Sequence, residues 1–340
     1  MQLQKWIESH WYAPSPGPLK YLSSLEGFYC KQVSQRKEAY AKGTKKTTRL
    51  RVPVIIVGNL SVGGSGKSPV VAALARFFRR KGYQPGIVSR GYGSKTRRYP
   101  FRVESDSSVK EAGDEPLMLA RQTGLPVAID PRRPRAAELL LEEGCDLIIA
   151  DDGLQHLALE RDIEILVIDG QRGLGNGHCL PVGPLREPPE RLGQVDWLLC
   201  QGELQQKLPE FPDQDAILAE RFFSYRLERI GWRRGDGLWQ SECPFEAGQE
   251  IHALAGIGHP QRFFDQLAAL GLQVLPHPQK DHASMNEQTL ALPGDQPIVM
   301  TAKDAVKLGP WLTERHWVVE VEAHLPEAFL EQLSRQVAAC

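Results

Sequence analysis

The stretch GNLSVGGSGKSPVV, residues 58–71, leaves a chain few choices of fold. It follows the apolar run VPVIIVG and precedes a segment in which Val70, Leu74, Phe77 and Phe78 share one helical face. Arg76, Arg79, Arg80 and Lys81 take the other face, and Gly82 is a natural stop. A strand, a glycine-rich turn and a helix in that order gather backbone N–H groups and a helix N-terminus around one point, which suits a phosphate. The pattern GxxxxGK followed by Ser or Thr is met at Gly66, Lys67 and Ser68, but Ser61 holds the leading position. Ser61, Val62, Gly63, Gly64, Ser65, Gly66, Lys67 and Ser68 are therefore expected to cradle a nucleotide. Lys67 would reach the β and γ phosphates, and the Ser68 hydroxyl would face Mg2+. A ligand-free turn accounts for the glycines but not for Lys67 and Ser68. A related loop, KGGxGK, carries an extra lysine where this chain has Val62, which disfavours that subclass.

A nucleotide site of this kind needs carboxylates near the metal. CDLIIADDGLQH places Asp151 and Asp152 directly after an apolar strand, the position from which they would help hold the cation. Gln155 and His156 follow at once and are read either as contacts to nucleotide or water, or as caps of the next turn. Arg90, after the strand QPGIVS, is read either as a phosphate contact or as a solvated loop arginine.

The runs QPGIVS, LPVAID, CDLIIAD, IEILVIDG and VDWLLC are apolar on consecutive residues, as strands buried on both faces of a parallel sheet are. The fold expected is α/β: a P-loop NTPase-like, mostly parallel sheet with helices on both faces, plus a second, smaller α/β domain. Three divisions follow. Residues 1–51 form an N-terminal amphipathic segment, 52–215 the nucleotide-binding domain, and 216–340 the smaller domain that closes a cleft. In the last, AILAERFFSYRLERIGWR reads as extended, EIHALAGIGHPQRFFDQLAALG and QPIVMTAKDAVKLG as strand, turn and helix, and HWVVEVEA as a closing strand.

In the first segment Leu19, Leu22, Leu25, Tyr29 and Val33 recur at helical spacing, and Lys42, Lys45, Lys46, Arg49 and Arg51 follow. That combination suits either an anionic membrane surface or a helix packed on its own domain. The formal net charge of -1 makes no case for nucleic acid, and no protein partner is implied. The six cysteines lack zinc or CxxC spacing, which points to a reducing compartment.

In order along the chain, HWY, GNLSVGGSGKSP, VSRGYG, GDEP, ADDGLQH, LPVGPLREP, AGIGHPQRFF, KDH and TAKDAVKL resemble the tetraacyldisaccharide 4'-kinase family of Gram-negative bacteria. The resemblance implies transfer of the ATP γ-phosphate to the 4'-hydroxyl of a tetraacylated glucosamine disaccharide 1-phosphate, with ATP and Mg2+ as cofactors. It implies a peripheral location on the cytoplasmic face of the inner membrane, with Trp11 and Tyr12 as interfacial anchors.

It also implies that Asp114 and His282 form the catalytic dyad on the acceptor side, with Lys67 serving the phosphates. Glu187 would be linked to the metal beside Ser68, Asp151 and Asp152. Arg133 would serve the phosphates, although Arg132 and Arg135 compete for that alignment. Read from the residues alone, GDEP could cap a helix with Asp114 as N-cap, and His282 could be a surface histidine. The competing functional class is a membrane-associated regulatory or assembly NTPase, which would use Lys67, Ser68 and the two aspartates but no acceptor site.

Overall fold

The computed structural model describes residues 2–64, 66–281 and 283–340. Ser65 of the glycine loop and His282, expected as the partner of Asp114, lie outside the described residues.

Two helices come first, α1 (Gln2–Trp11) and α2 (Ser23–Ala41), joined through a 3-10 turn at Gly17–Leu22. Strands and helices then alternate: β1 (Val54–Gly58), α3 (Lys67–Arg80), β2 (Pro85–Ser89), β3 (Phe101–Val103), α4 (Val109–Ala112) and α5 (Asp114–Thr123). Next come β4 (Val127–Ile129), α6 (Arg133–Glu142), β5 (Leu147–Asp151), β6 (Ile163–Asp169) and β7 (Trp197–Gln201). Beyond them lie α7 (Gln214–Arg221), β8 (Phe222–Arg234), β9 (Trp239–Gln240), β10 (Glu250–Ala255), α8 (Pro260–Ala268) and β11 (Gln273–Pro278). The chain finishes with β12 (Ile298–Thr301), α9 (Ala302–Leu308), β13 (His316–His324) and α10 (Glu327–Ala338).

The strands form one sheet in the order β11-β10-β12-β13-β8-β7-β6-β1-β5-β2-β4-β3, with β9 paired to β8. β1 lies between β5 and β6, parallel to both, so the glycine loop and the Asp151–Asp152 pair leave the sheet at the same edge. This is where open parallel sheets place ligands. β8 carries the sheet from one half to the other. Its first residues, Phe222–Tyr225, run parallel to β7, and its remainder, from Arg226, runs antiparallel to β13 with a bulge at Glu320/Val321.

Alternate side chains of the central strands serve opposite cores. Ile55, Val57, Ile87 and Ile149 join α3 and α5 on one face, while Val54, Ile56, Val88 and Ile148 join α6 on the other. The first of these cores continues through Met300, Val318 and Phe329, so apolar burial crosses from one half to the other. Phe78, fully buried on α3, would cost about 3–5 kcal/mol if truncated to alanine. α8 packs Phe263, Phe264 and Leu267 over Trp232 and Trp317 in a third cluster.

Two expectations are corrected here. The segment read as extended from Ala216 is helical through Arg221, because Ala, Leu, Glu and Arg favour that state and Ile217 and Leu218 pack beneath the sheet; the strand starts at Phe222. The N-terminal apolar stripe is not one face. Leu19 is buried and Tyr29 and Val33 are half-buried, whereas Leu25 is 54% exposed, alongside Tyr21 at 80% and Phe28 at 64%. The face of α2 that meets the protein is polar at its centre. Glu26 accepts from the Cys179 N–H (2.7 Å), Tyr29 Oη donates to the Arg186 carbonyl (2.9 Å), and Lys37 meets Glu187 (2.5 Å). Among the described residues no helix is long and apolar enough to cross a membrane.

Candidate active site

Side-chain and backbone hydrogen bonds hold the first part of the glycine loop. Asn59, buried at the tip of β1, donates through Nδ2 to the Ser61 carbonyl (2.8 Å) and accepts from Lys67 Nζ through Oδ1 (3.1 Å). The Val62 N–H donates to the Pro184 carbonyl (2.9 Å), and Ser61 bridges to Leu185. Ser61 is not among the residues with positive φ, so this position does not demand glycine. Gly66 does: at φ 78° it precedes α3, and a Cβ there would lie 2.7 Å from both Tyr225 Oη and Gln201 Oε1. Tyr225 Oη in turn donates to the Gly66 carbonyl (3.2 Å).

The surroundings shift the two aspartates in opposite directions. Asp151 is buried at the end of β5 with Oδ1 unpartnered among the described residues. Burial pushes its carboxyl up to about 7, helped by Glu115 and Asp152 and opposed by Lys67 and Arg133. Asp152 sits at φ 51° and pairs with Lys67 (3.5 Å) and with Arg186 Nη1 (3.0 and 2.9 Å). Burial would raise it too, but Lys67 and Arg186 outweigh that and hold it at about 2.

Arg133 is buried behind this pair rather than open to the cleft, its Nη2 donating to the carbonyls of Asp151 (2.9 Å) and Asp152 (2.8 Å). Burial draws its guanidinium down to about 10, against the pull of both aspartates. Arg132 and Arg135 are exposed, and Arg135 pairs with Asp130 (3.3 Å). Gln155 donates to the Asn59 carbonyl (3.2 Å) and to Glu187 (2.8 Å), tying the glycine loop to the LREP segment. Glu187 is buried between Lys37, Gln155 and Arg191. His156 is driven down to about 3 by burial, then by Arg133, Arg161, Arg36 and Arg90, so it is neutral. Arg90 itself is exposed at the end of β2.

On the α5 and α9 side of the site, Asp114 opens α5. The N-cap is Gly113 at φ 85°, not Asp114, whose Oδ1 accepts from the Glu115 N–H (3.0 Å). Lys307 of α9 lies 3.6 Å from Asp114 Oδ2, and Lys303 pairs with Glu115 and Asp281 (both 2.9 Å). Burial opposes the charge on Lys303, but Glu115, Asp281 and Asp114 together raise its pKa. Glu115 thus links the two sides, because its charge also acts on Asp151.

Asn59, Arg186, Glu115 and Lys307 were not foreseen from the sequence. Three of them adjoin residues that were: Asn59 begins the loop, Arg186 precedes Glu187 and Glu115 follows Asp114. Adjacency was the available signal.

A glycine loop on a central parallel strand, a lysine and serine opening the next helix and two aspartates on the neighbouring strand define a P-loop nucleotide-dependent enzyme. The family model described as Tetraacyldisaccharide-1-P 4'-kinase matches residues 19–338, and the chain belongs to that family. A tetraacyldisaccharide 4'-kinase of Pseudomonas putida is 44% identical over 330 residues, covering 97% of this chain and 95% of the relative. That of Alkalilimnicola ehrlichii is 44% identical over 317 residues, covering 93% and 92%. A crystal structure of LpxK from Aquifex aeolicus in complex with ATP superposes with a TM-score of 0.77 at 29% identity, covering 94% of this chain and 98% of the other.

Proposed function

We propose that this protein transfers the γ-phosphoryl group of ATP to the 4'-hydroxyl of a tetraacylated glucosamine disaccharide 1-phosphate, giving lipid IVA in lipid A biosynthesis. One observation carries the reading beyond family membership. Glu115, next to Asp114 at the start of α5, is near enough for its charge to raise the Asp151 carboxyl, and Asp151 precedes Asp152, which pairs with Lys67 (3.5 Å), so an acceptor-side carboxylate and a phosphate seat adjoin. A switch NTPase would need the second group but not the first, and family membership does not favour it.

Asp114 accepts the proton of the sugar hydroxyl as its oxygen bonds to the γ-phosphorus and the bond to the β-γ bridging oxygen breaks, releasing ADP. His282 is assigned as its partner in handling that proton. Lys67 neutralises charge on the β and γ phosphates, held on line by Asn59. The N–H groups of Gly63, Gly64, Gly66, Lys67 and Ser68 are assigned to the phosphates, that of Val62 being taken by the Pro184 carbonyl. Arg90, exposed just past the end of β2, is assigned to an acceptor or nucleotide phosphate.

The residues present fit Mg2+. Asp151 Oδ1 is buried without a partner among the described residues, and burial, with Glu115 and Asp152 nearby, raises its carboxyl, which a bound cation would reverse. Among the described residues no group of three His, Cys, Asp or Glu could hold a metal by protein atoms alone, as suits an ion shared with substrate phosphates. Ser68, Asp151 and Asp152 would hold it. Glu187 is joined to the glycine loop through Gln155, which donates to it and to the Asn59 carbonyl. Once bound, the ion neutralises charge on the phosphate oxygens.

Residues 52–215 then act as the kinase domain and 216–340 as the part that closes on it. The exposed Leu3, Trp6, Tyr21, Leu25 and Phe28 support contact with the cytoplasmic surface of the inner membrane, where the acylated acceptor resides. The test is incubation with γ-labelled ATP and the disaccharide, followed by chromatography. Label should move into the lipid for the parent chain and not for Asp114→Ala, with ATP binding retained. Label found only in free phosphate would reject the kinase reading.

A further inference from the structure

Lys307 lies on α9, far along the chain from the nucleotide loop, yet it is buried against Asp114. Its Nζ stands between two carboxylates, 3.6 Å from Asp114 Oδ2 and 3.4 Å from Asp304 Oδ1. Asp304 is itself fully buried and otherwise engaged: its Oδ2 accepts from the Thr301 hydroxyl (2.7 Å) and from the Gly256 N–H (2.9 Å). Thr301 also caps the helix by accepting from the Asp304 N–H (3.3 Å). The base of Lys307 is therefore fixed by a capped helix and its head by a buried carboxylate that cannot swing away without releasing the turn after β10.

We infer that Lys307 is a positioning residue for phosphoryl transfer, holding the Asp114 carboxylate ionised and aimed at the acceptor hydroxyl. The inference rests on the reading of Asp114 as the acceptor-side base. Asp114 is gripped from two directions, Oδ1 by the Glu115 N–H and Oδ2 by Lys307, which sets the rotation of the carboxylate. Without the ammonium, Asp114 and Asp304 would face each other as like charges in a buried place, and Asp114 would turn away or take up a proton. Lys303, one turn earlier, also acts on Asp114 through its charge, but its Nζ is hydrogen-bonded to Glu115 and Asp281.

The experiment is a double-mutant cycle in the full chain. Parent, Lys307→Met, Asp114→Asn and the double variant are compared for kcat, for KM of ATP and of the lipid disaccharide, and for equilibrium ATP binding. Lys307→Met is expected to lower kcat by at least about 30-fold, a part of the roughly 10²- to 10⁴-fold that a general base contributes, while ATP binding changes by less than about threefold. In the Asp114→Asn background it should cost less than about a further threefold, since a residue acting through another has nothing left to act on. Lys307→Arg should restore part of the rate.

A kcat for Lys307→Met near the parent value, or a loss that persists undiminished in Asp114→Asn, overturns the inference while leaving Asp114 as base. Near-parental kcat in Asp114→Asn overturns the reading beneath it, and the inference with it. Should Lys307→Met not fold, Lys307→Arg is carried through the same cycle with the same criterion of vanishing effect in Asp114→Asn.

Discussion

Gly258 lies against Gly64: a Cβ placed on Gly258 would fall 3.0 Å from the Gly64 nitrogen and 3.4 Å from its Cα. The turn after β10 therefore touches the phosphate loop directly, backbone to backbone. Arg172 braces the contact, donating from Nη2 to the Gly258 carbonyl (3.2 Å) while its guanidinium lies 4.7 Å from the centre of the Tyr12 ring. Tyr12 Oη in turn donates to the Val62 carbonyl (3.4 Å), so N-terminal segment, glycine loop and second half meet at one point.

From this contact, Gly258→Ala should weaken nucleotide binding by crowding the loop. Gly258 is not among the positive-φ residues, so backbone strain adds nothing and the effect comes from space alone. A cost of about 1–2 kcal/mol, typical of overpacking, corresponds to roughly 5- to 30-fold in the KM for ATP. Steady-state kinetics alongside a thermal melt would check it; an unchanged KM would show that the loop yields freely.

The raised carboxyl of Asp151 makes cation use pH-dependent. Because its pKa lies near 7, the group is protonated below that value and must lose its proton before a cation can bind. Apparent Mg2+ affinity should therefore fall as the pH drops below 7, by up to about tenfold per unit, and level off above it. Mg2+ titrations of activity at acidic, neutral and basic pH would measure this slope, and Asp151→Asn should abolish it. A slope identical in both chains would assign the titration elsewhere.

Arg186 holds Asp152 through a single nitrogen that reaches both carboxylate oxygens. Arg186→Ala should free Asp152 to draw Lys67 off the phosphates and lower kcat/KM by about 10²-fold, of the order expected when one member of a charge pair is removed. Since one nitrogen does the holding, Arg186→Lys should recover more activity than a forked contact would permit. Equal activities for the lysine and alanine variants would contradict that geometry.

The outward side chains Leu25 and Phe28 are exposed and make no part of either core, so replacing both with serine should leave the fold intact. Flotation with vesicles containing anionic lipid should nevertheless drop for the double variant, because apolar area entering the interface is lost. Activity on detergent-dispersed acceptor is the control. Partitioning equal to the parent would remove these residues from the membrane contact.

What could be read in the chain was what is local. Gly58 ends one strand and Lys67 opens the next helix, so the short spacing between them carries the phosphate seat, and Ser61 is tolerated because its backbone never needed glycine. Asp151 and Asp152 were legible for the same reason, as consecutive residues at the end of a buried strand. Family motifs directed attention to Asp114, but nothing in its neighbourhood disclosed that Lys307 would grip it.

Tertiary packing decided the rest. Sequence periodicity did not reveal that β8 would pass from parallel pairing with β7 to antiparallel pairing with β13 at Arg226, or that Glu26, Tyr29 and Lys37 would turn the polar side of α2 inward. Nor could it tell that Arg133 would serve two backbone carbonyls from behind while Arg186 held the carboxylate in front. Local residues dictate strands, turns and helix starts because those depend on near neighbours in the chain. Charge states and the aim of side chains depend on what distant segments bring beside them, and only the folded arrangement supplies that.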